Sequence, residues 1–320
     1  MSKSDKPSTK AFKVPARYYQ RMLDLLEERK VDVKQIATDA AIDWQAMTEA
    51  DAVLSLDQVE SVVAKALAVC EQPGLALDLG RRIKPTSHSF VGFALLSSPN
   101  IDYALRLLAR YFSLIMPSFR LRYGRHQDGR LMLEFMPQIS MSQLCLDFHI
   151  ETIASAVHWE IKELVSGQMP GYELLLSIEK PAHHARYAEL KEVHCRFASL
   201  RSPGLTLLLP PSLAAQPLAM ADSTALQMAE SRCRALVNQA VTKQRVHEWI
   251  EMMLRESHDS MPSLNELAQT LNLSTRTLNR HLQREGVGFR ALCNRVLVEK
   301  SQAMLREGHL SITQIAHELG

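Results

Sequence analysis

A ten-residue pattern occurs twice towards the C-terminus of this 320-residue chain: SLNELAQTLN at 263–272 returns as SITQIAHELG at 311–320, at a constant offset of 48. Ser263 and Ser311, Leu264 and Ile312, Leu267 and Ile315, Ala268 and Ala316, and Leu271 and Leu319 coincide. In each copy the serine is followed three residues later by Glu266 or Gln314. That is a capping box, in which two free N–H groups at a helix start are satisfied reciprocally. The apolar residues then recur at intervals of three and four, so each copy predicts a short helix with one buried stripe. Between the copies, Phe289 to Arg306 reads as one longer helix, roughly 27 Å long at about 1.5 Å per residue.

The residues just after the first copy give the pattern its chemistry. A turn at Asn272-Leu273 leads to Ser274, which is placed to cap a second helix whose inner face is Leu278 and Leu282. Arg276, Asn279, Arg280 and Gln283 share the opposite face. Arginine can bond guanine O6 and N7, and asparagine can bond adenine N6 and N7, when a helix lies in the major groove of DNA. Ser274, Thr275 and Thr277 sit at the helix start, where hydroxyls and free N–H groups suit phosphate oxygens. From Ser274 to Arg306 there are seven basic residues (Arg276, Arg280, Arg284, Arg290, Arg295, Lys300 and Arg306) against two acidic ones, Glu285 and Glu299. That excess can neutralise phosphates, although the whole chain carries only +2. An ordinary helical hairpin with a polar outer face would share much of this pattern; the second copy argues against it. A connecting helix of this length can hold two reading heads near the ~34 Å repeat of the major groove.

The first 220 residues have a different texture. Apolar spacing is helical from about Tyr18 to Cys70. FRLRYGRHQDGRLMLEF (119–135) alternates on both sides of Asp128-Gly129, which predicts a β-hairpin. LCLDFHIETIASAVHWEIKELVSG (144–167) predicts a long helix ending at Gly167. YELLLSI (172–178) and LTLLL (205–209) predict two further strands. Of nineteen aromatic residues, all but Trp249 and Phe289 lie in this part, enough for a core and a lined pocket. The fold class expected is therefore an α+β domain with a mostly antiparallel sheet, followed by an all-α helix-turn-helix domain. The expected boundaries are a disordered stretch at 1–15, an effector-binding and oligomerisation domain at 16–218, a helical linker at 219–240 and a DNA-binding domain at 241–320.

Other classes of function find little support. Hydrophobic residues make up 46% and charged residues 22%, with no apolar run approaching the roughly 18 residues of a membrane helix. The basic N-terminus lacks the apolar segment of a secretory signal, so a cytoplasmic location and no membrane partner are expected. The five cysteines are scattered, without a C-x-x-C pair, and read as free thiols. His183, His184, His194 and Cys195 cluster, but at no standard zinc spacing. Ser87, His88 and Ser89 lie in no G-x-S-x-G elbow, and there is no glycine-rich phosphate loop. No cofactor, metal or catalytic residue is expected, and the methionines Met132, Met136 and Met141 read as gap-filling core residues. RRIKPTSHSF (81–90) offers cationic and hydroxyl groups near Phe90 and Phe93. It reads equally as part of a site for an anionic or amphipathic metabolite and as a polar loop entering a core helix.

The tail from about Val241, in SLNELAQTLNLSTRTLNRHLQREG, resembles the AraC/XylS transcription regulators, whose DNA-binding domain is two helix-turn-helix units joined by a long helix. LALDLGRRIKPTSHSFVGFALLSSPNIDYALRLLARYF (75–112) resembles the branch of that family with an arabinose-regulator-type α+β N-terminal domain in place of a cupin barrel. The resemblance implies that Arg276, Asn279 and Arg280 stand at base-reading positions. It also implies promoter DNA and RNA polymerase as partners, a homodimer, and a small-molecule effector such as an amino acid, a fatty acid or another small organic molecule; it names no ligand-binding residue. Activation is the expected mode. The family pattern continues beyond Gly320 into a second recognition helix, so the second helix-turn-helix is expected to be incomplete here, with DNA affinity reduced accordingly. Two alternatives stand beside this reading: a ligand-independent regulator whose first domain only dimerises, and a metabolite-binding enzyme with a helical appendage.

Overall fold

The computed structural model describes residues 13–49, 52–166, 169–243, 246–256, 261–271, 273–307 and 311–319. Of the stretch 1–15 expected to be disordered, residues 1–12 lie outside them, as does Gly167, expected to end a helix; Lys13–Pro15 instead form a strand. Two compact units emerge, Met1–Glu230 and Ser231–Gly320.

The first unit opens with β1 (Lys13–Pro15), α1 (Arg17–Glu28), α2 (Val33–Asp39), α3 (Trp44–Met47), β2 (Val53–Ser55) and α4 (Leu56–Val69). Strands β1 and β2 form a small antiparallel ribbon, too short for any alternation to be readable from sequence. Next come α5 (Leu75–Arg82), α6 (Phe90–Leu96) and α7 (Ile101–Tyr111), then β3 (Phe119–Arg125) and β4 (Leu131–Pro137). The expected hairpin is present, with Leu121 opposite Phe135 and Tyr123 opposite Leu133. Its turn uses Gly129 at φ 88°, a left-handed conformation that glycine adopts without Cβ strain.

Helix α8 (Gln143–Leu164) comes after the hairpin, then β5 (Tyr172–Leu176), β6 (Val193–Arg196) and β7 (Leu205–Leu209). The main sheet has five strands in the order β3-β4-β7-β5-β6. All pairings are antiparallel except β5 with β6, which is parallel. Every residue of β7 is buried, which accounts for the unbroken apolar run LTLLL: a central strand covered on both faces has no solvent side to alternate towards. The α+β class with a mostly antiparallel sheet is as expected.

Helix α8 is the axis of this unit. It is buried along most of its length, so it carries little amphipathic asymmetry despite its 22 residues. It lies unusually close to α5. A Cβ placed on Gly80 would stand 2.5 Å from Ser155 Cβ, 2.6 Å from the Thr152 carbonyl oxygen and 2.8 Å from the Ala156 nitrogen. Ser155 Oγ donates to the Leu77 carbonyl oxygen at 2.8 Å, pinning the two helices where the missing side chain lets them meet. Gly80, in the 75–112 segment that carries the family resemblance, thus has a packing reason to be glycine.

The second unit is all helical. After α9 (Ser223–Lys243), which begins in the first unit, come α10 (Val246–Glu256), α11 (Leu264–Thr270), α12 (Thr275–Arg284), α13 (Phe289–Glu307) and α14 (Ile312–Leu319). Its core gathers Val246, Ile250 and Leu254 from α10, Leu267 and Ala268 from α11, Leu278 and Leu282 from α12, and Leu292 and Val296 from α13. Leu264 and Leu271, expected in the same stripe, are half-buried at its margin.

Candidate nucleic-acid interface

Helix α11 starts with the capping box expected from sequence. Glu266 N–H donates to Ser263 Oγ at 3.2 Å, and Ser263 N–H donates to Glu266 Oε2 at 2.7 Å. The second copy repeats it, with Ser311 N–H to Gln314 Oε1 at 2.8 Å and Gln314 N–H to Ser311 Oγ at 3.3 Å. Ser274 caps α12 by accepting from Thr277 N–H at 3.1 Å, and the hydroxyls of Ser274 and Thr277 lie 2.8 Å apart. Thr275 Oγ1 donates to Asn265 Oδ1 at 3.3 Å, joining the start of α12 to α11. The three hydroxyls assigned to phosphate contact are therefore already engaged in fixing the turn and retain only their remaining hydrogen-bonding capacity.

At about 100° per residue, Leu278 and Leu282 point inward together, and both are 0% exposed. Arg276, Asn279, Arg280, Gln283 and Arg284 are exposed on the other side. The helix ends in a Schellman arrangement: Gly286, at φ 73°, donates to the Gln283 carbonyl at 3.1 Å, and Val287 N–H donates to that of Leu282 at 3.0 Å.

Charge on this face is not distributed as a simple count suggests. Arg276, Arg280, Arg284 and Arg290 have no carboxylate partner among the described residues. Burial first, and then the charges of Arg284 and Arg280, push the His281 imidazole below its ordinary pKa. Arg295, counted with them in the sequence, is instead held by Glu251 at 2.5 Å, and Glu299 is held by Arg255 at 2.8 Å. Glu285 also has another role. Its carboxylate accepts from Val246 N–H at 2.7 Å and His247 N–H at 2.9 Å, and lies 2.8 Å from His247 Nδ1. It therefore caps α10. Burial would raise its pKa, but these donors hold it below the usual carboxylate range.

In the first unit the cationic residues of 81–90 do not stand free for a ligand. Arg82 lies 2.5 Å from Glu28 and Lys84 3.0 Å from Glu163, while Arg81 stacks 4.9 Å over Trp159 and faces Glu189. His88 alone turns inward. Its Nδ1 lies 2.8 Å from Tyr18 Oη and its Nε2 2.5 Å from Glu160 Oε1. Burial alone would depress the imidazole, but the Glu160 carboxylate outweighs it and raises the pKa to about 9, so the ring donates at both nitrogens.

The other buried histidines behave oppositely. His149 Nδ1 lies 2.6 Å from the Cys145 carbonyl, which can only accept, so Nδ1 carries the proton and Nε2 accepts from Tyr19 O–H at 2.7 Å. Burial lowers His149 to about 4, and burial followed by the Lys162 charge lowers His158 to about 4. Of the clustered histidines, His183 lies 2.8 Å from Glu151, and His184 faces the Pro181 carbonyl at 3.0 Å. Among the described residues no helix is long and apolar enough to cross a membrane.

Comparison with known proteins converges on one family. Residues 31–218 match the family model described as the arabinose-binding domain of AraC transcription regulator, N-terminal. The chain is similar to the ornithine utilization regulator of Pseudomonas aeruginosa, 26% identical over 310 residues that cover 96% of this chain and 89% of that protein. An HTH-type transcriptional regulator of Mycobacterium tuberculosis is 24% identical over 95% of this chain and 88% of its own length. Among solved structures, the transcriptional regulator CdpR from Pseudomonas aeruginosa shares the fold, with a TM-score of 0.53 at 20% identity, covering 95% of this chain and 90% of that one. All of these are regulators of transcription rather than enzymes. The chain belongs to the AraC-type transcription regulators that carry an arabinose-binding-type N-terminal domain.

Proposed function

We propose that this regulator binds promoter DNA in a sequence-specific manner through the outer face of α12. In this reading it acts as a homodimeric activator that recruits RNA polymerase, and its first unit responds to a small organic effector. One observation carries the DNA-binding part: Arg276, Asn279, Arg280 and Gln283 are exposed together, opposite a wholly buried Leu278 and Leu282. Side chains of this chemistry, on a helix whose N-terminus is fixed by Ser274, match what base reading in the major groove requires. Four arginines on or beside that face without carboxylate partners among the described residues supply the counter-charge for phosphates. The activator role, the polymerase partner, the homodimer and the effector rest on the family resemblance.

The test is selection of binding sites from random duplexes with wild-type protein, followed by titration of single-base variants. Arg280→Ala should reduce discrimination at one or two base pairs by about 1–3 kcal/mol while leaving other positions unaffected. Arg290→Ala should instead weaken all sequences alike and reduce the salt slope by about 1. An Arg280→Ala protein that selects the same site with the same discrimination would remove the assignment.

A further inference from the structure

The closely packed helical part of the first unit also contains unfilled space. A cavity of about 40 Å³ lies between α1, α7 and α8. Its wall is apolar, with Leu108, Phe112, Ile115, Ile153 and Val157 around it, and Tyr18, His88 and Glu160 stand at its border. Thr152 also lines it, and this residue does not fit a purely structural reading. Thr152 is 4% exposed, and its Oγ1 is buried without a hydrogen-bond partner. A threonine within a helix ordinarily returns its hydroxyl to the carbonyl one turn back. Buried hydroxyls are otherwise satisfied, and one left over calls for an explanation.

We infer that this cavity is the effector site of the first unit, and that it takes a small uncharged amphiphile: a short aliphatic chain bearing one hydroxyl or carboxamide group, held by Thr152. The inference rests on the reading of the first unit as a sensor. Size follows from volume: at about 10–15 Å³ for one water-sized atom, the space accepts about three or four non-hydrogen atoms. Neutrality follows from the charges around it. His88 and Glu160 compensate one another, and Arg81, Arg82 and Lys84 are each engaged with carboxylates. A charged guest would therefore be buried without a partner, which is strongly unfavourable. A hydroxyl or amide both gives and accepts a hydrogen bond, as the Thr152 hydroxyl needs, and the aliphatic part meets Ile153 and Val157.

The cavity wall is joined to backbone with little slack. Ser89, directly after His88, sits at φ 53° and ψ −132°, which a non-glycine residue rarely adopts. A Cβ on Gly92 would stand 1.7 Å from the Pro85 carbonyl oxygen. A guest that moves His88 thus acts on a segment with few other conformations open to it, and that segment leads into α6.

The test uses the full-length protein labelled at Ile, Leu and Val methyl groups, titrated with 1-propanol and acetamide. Saturable shifts at Ile153 and Val157 are expected, with 1-hexanol at least tenfold weaker because the space ends. Thr152→Val keeps the shape and removes the hydroxyl; it should weaken 1-propanol about tenfold without lowering the melting temperature. Shifts that stay linear and are scattered over the surface, or binding that Thr152→Val leaves unchanged, would overturn the proposal. So would a crystal structure in which Thr152 binds ordered water that 1-propanol does not displace. Arg280→Ala provides the separation: if DNA recognition proves independent of α12 while the methyl titration still saturates, the cavity stands and only the DNA assignment falls.

Discussion

Replacing Gly80 by alanine tests the close approach of α5 to α8 in the first unit. An added Cβ would meet Ser155 Cβ at 2.5 Å and two backbone atoms of α8, the Thr152 carbonyl oxygen at 2.6 Å and the Ala156 nitrogen at 2.8 Å. Carbon contacts settle at about 3.5–4.0 Å, so one helix must withdraw by about 1 Å, and no side-chain rotation can substitute because two of the three obstacles are main chain. Such overpacking costs about 1–3 kcal/mol. Withdrawal also stretches the Ser155 to Leu77 hydrogen bond, worth about 1 kcal/mol. Against this stands the better helix propensity of alanine, about 1 kcal/mol. The gain and the hydrogen-bond loss roughly cancel, leaving a net destabilisation of about 1–3 kcal/mol. The assay is urea unfolding followed by fluorescence in a Trp249→Phe background, so that Trp44 and Trp159 report on the first unit alone. A midpoint that stays in place or rises, at unchanged slope, would mean that helix propensity is the larger effect and that α5 and α8 do not approach as described.

Further consequences can be measured directly. His149 and His158, each held near 4, favour the folded state fully above their unfolded value of about 6.5 and lose that contribution as pH falls towards 4, by at most about 2.7 kcal/mol per pH unit for the pair. His88, raised to about 9, contributes fully below about 6.5 and loses its contribution as pH rises through 9. Urea midpoints should therefore peak near neutral pH, and His149→Gln should reduce the acid-side slope by about half; a maximum at pH 5 would contradict both assignments. Glu285→Gln removes the charge that caps α10 and should lower the stability of the second unit by about 1–2 kcal/mol, read from Trp249 fluorescence. Leu278→Ala should cost that unit about 2–5 kcal/mol while leaving the Trp159 transition in place.

The parts of this fold that the sequence revealed are those governed by neighbours a few residues apart. The box between Ser263 and Glu266, the cap at Ser274 and the hairpin at Asp128-Gly129 depend on short-range geometry, and each forms where its residues place it. The outer face of α12 was legible for the same reason, since a helix period decides it. Partnerships between distant residues were not legible. The parallel pairing of Tyr172–Leu175 with Val193–Arg196 joins segments that no turn signal connects. Arg295 counted as a free cation until Glu251, on another helix, claimed it, and Glu285 counted only as an offset to the basic residues until Val246 and His247 met it. Likewise, Thr152 looks like any helical threonine in sequence; only the packing of α1 and α7 over α8 makes its hydroxyl conspicuous.

The carboxylate of Glu285 gives the second unit a mechanical character. It belongs to the C-cap residue of the helix that carries Arg276 and Arg280, yet it accepts two main-chain N–H groups from the opening turn of α10. The start of α10 and the outward arginines of α12 therefore share one carboxylate anchor. Without it the opening N–H groups of α10 lose their acceptor, while the apolar core and the Arg255–Glu299 and Arg295–Glu251 pairs still hold that helix to α13.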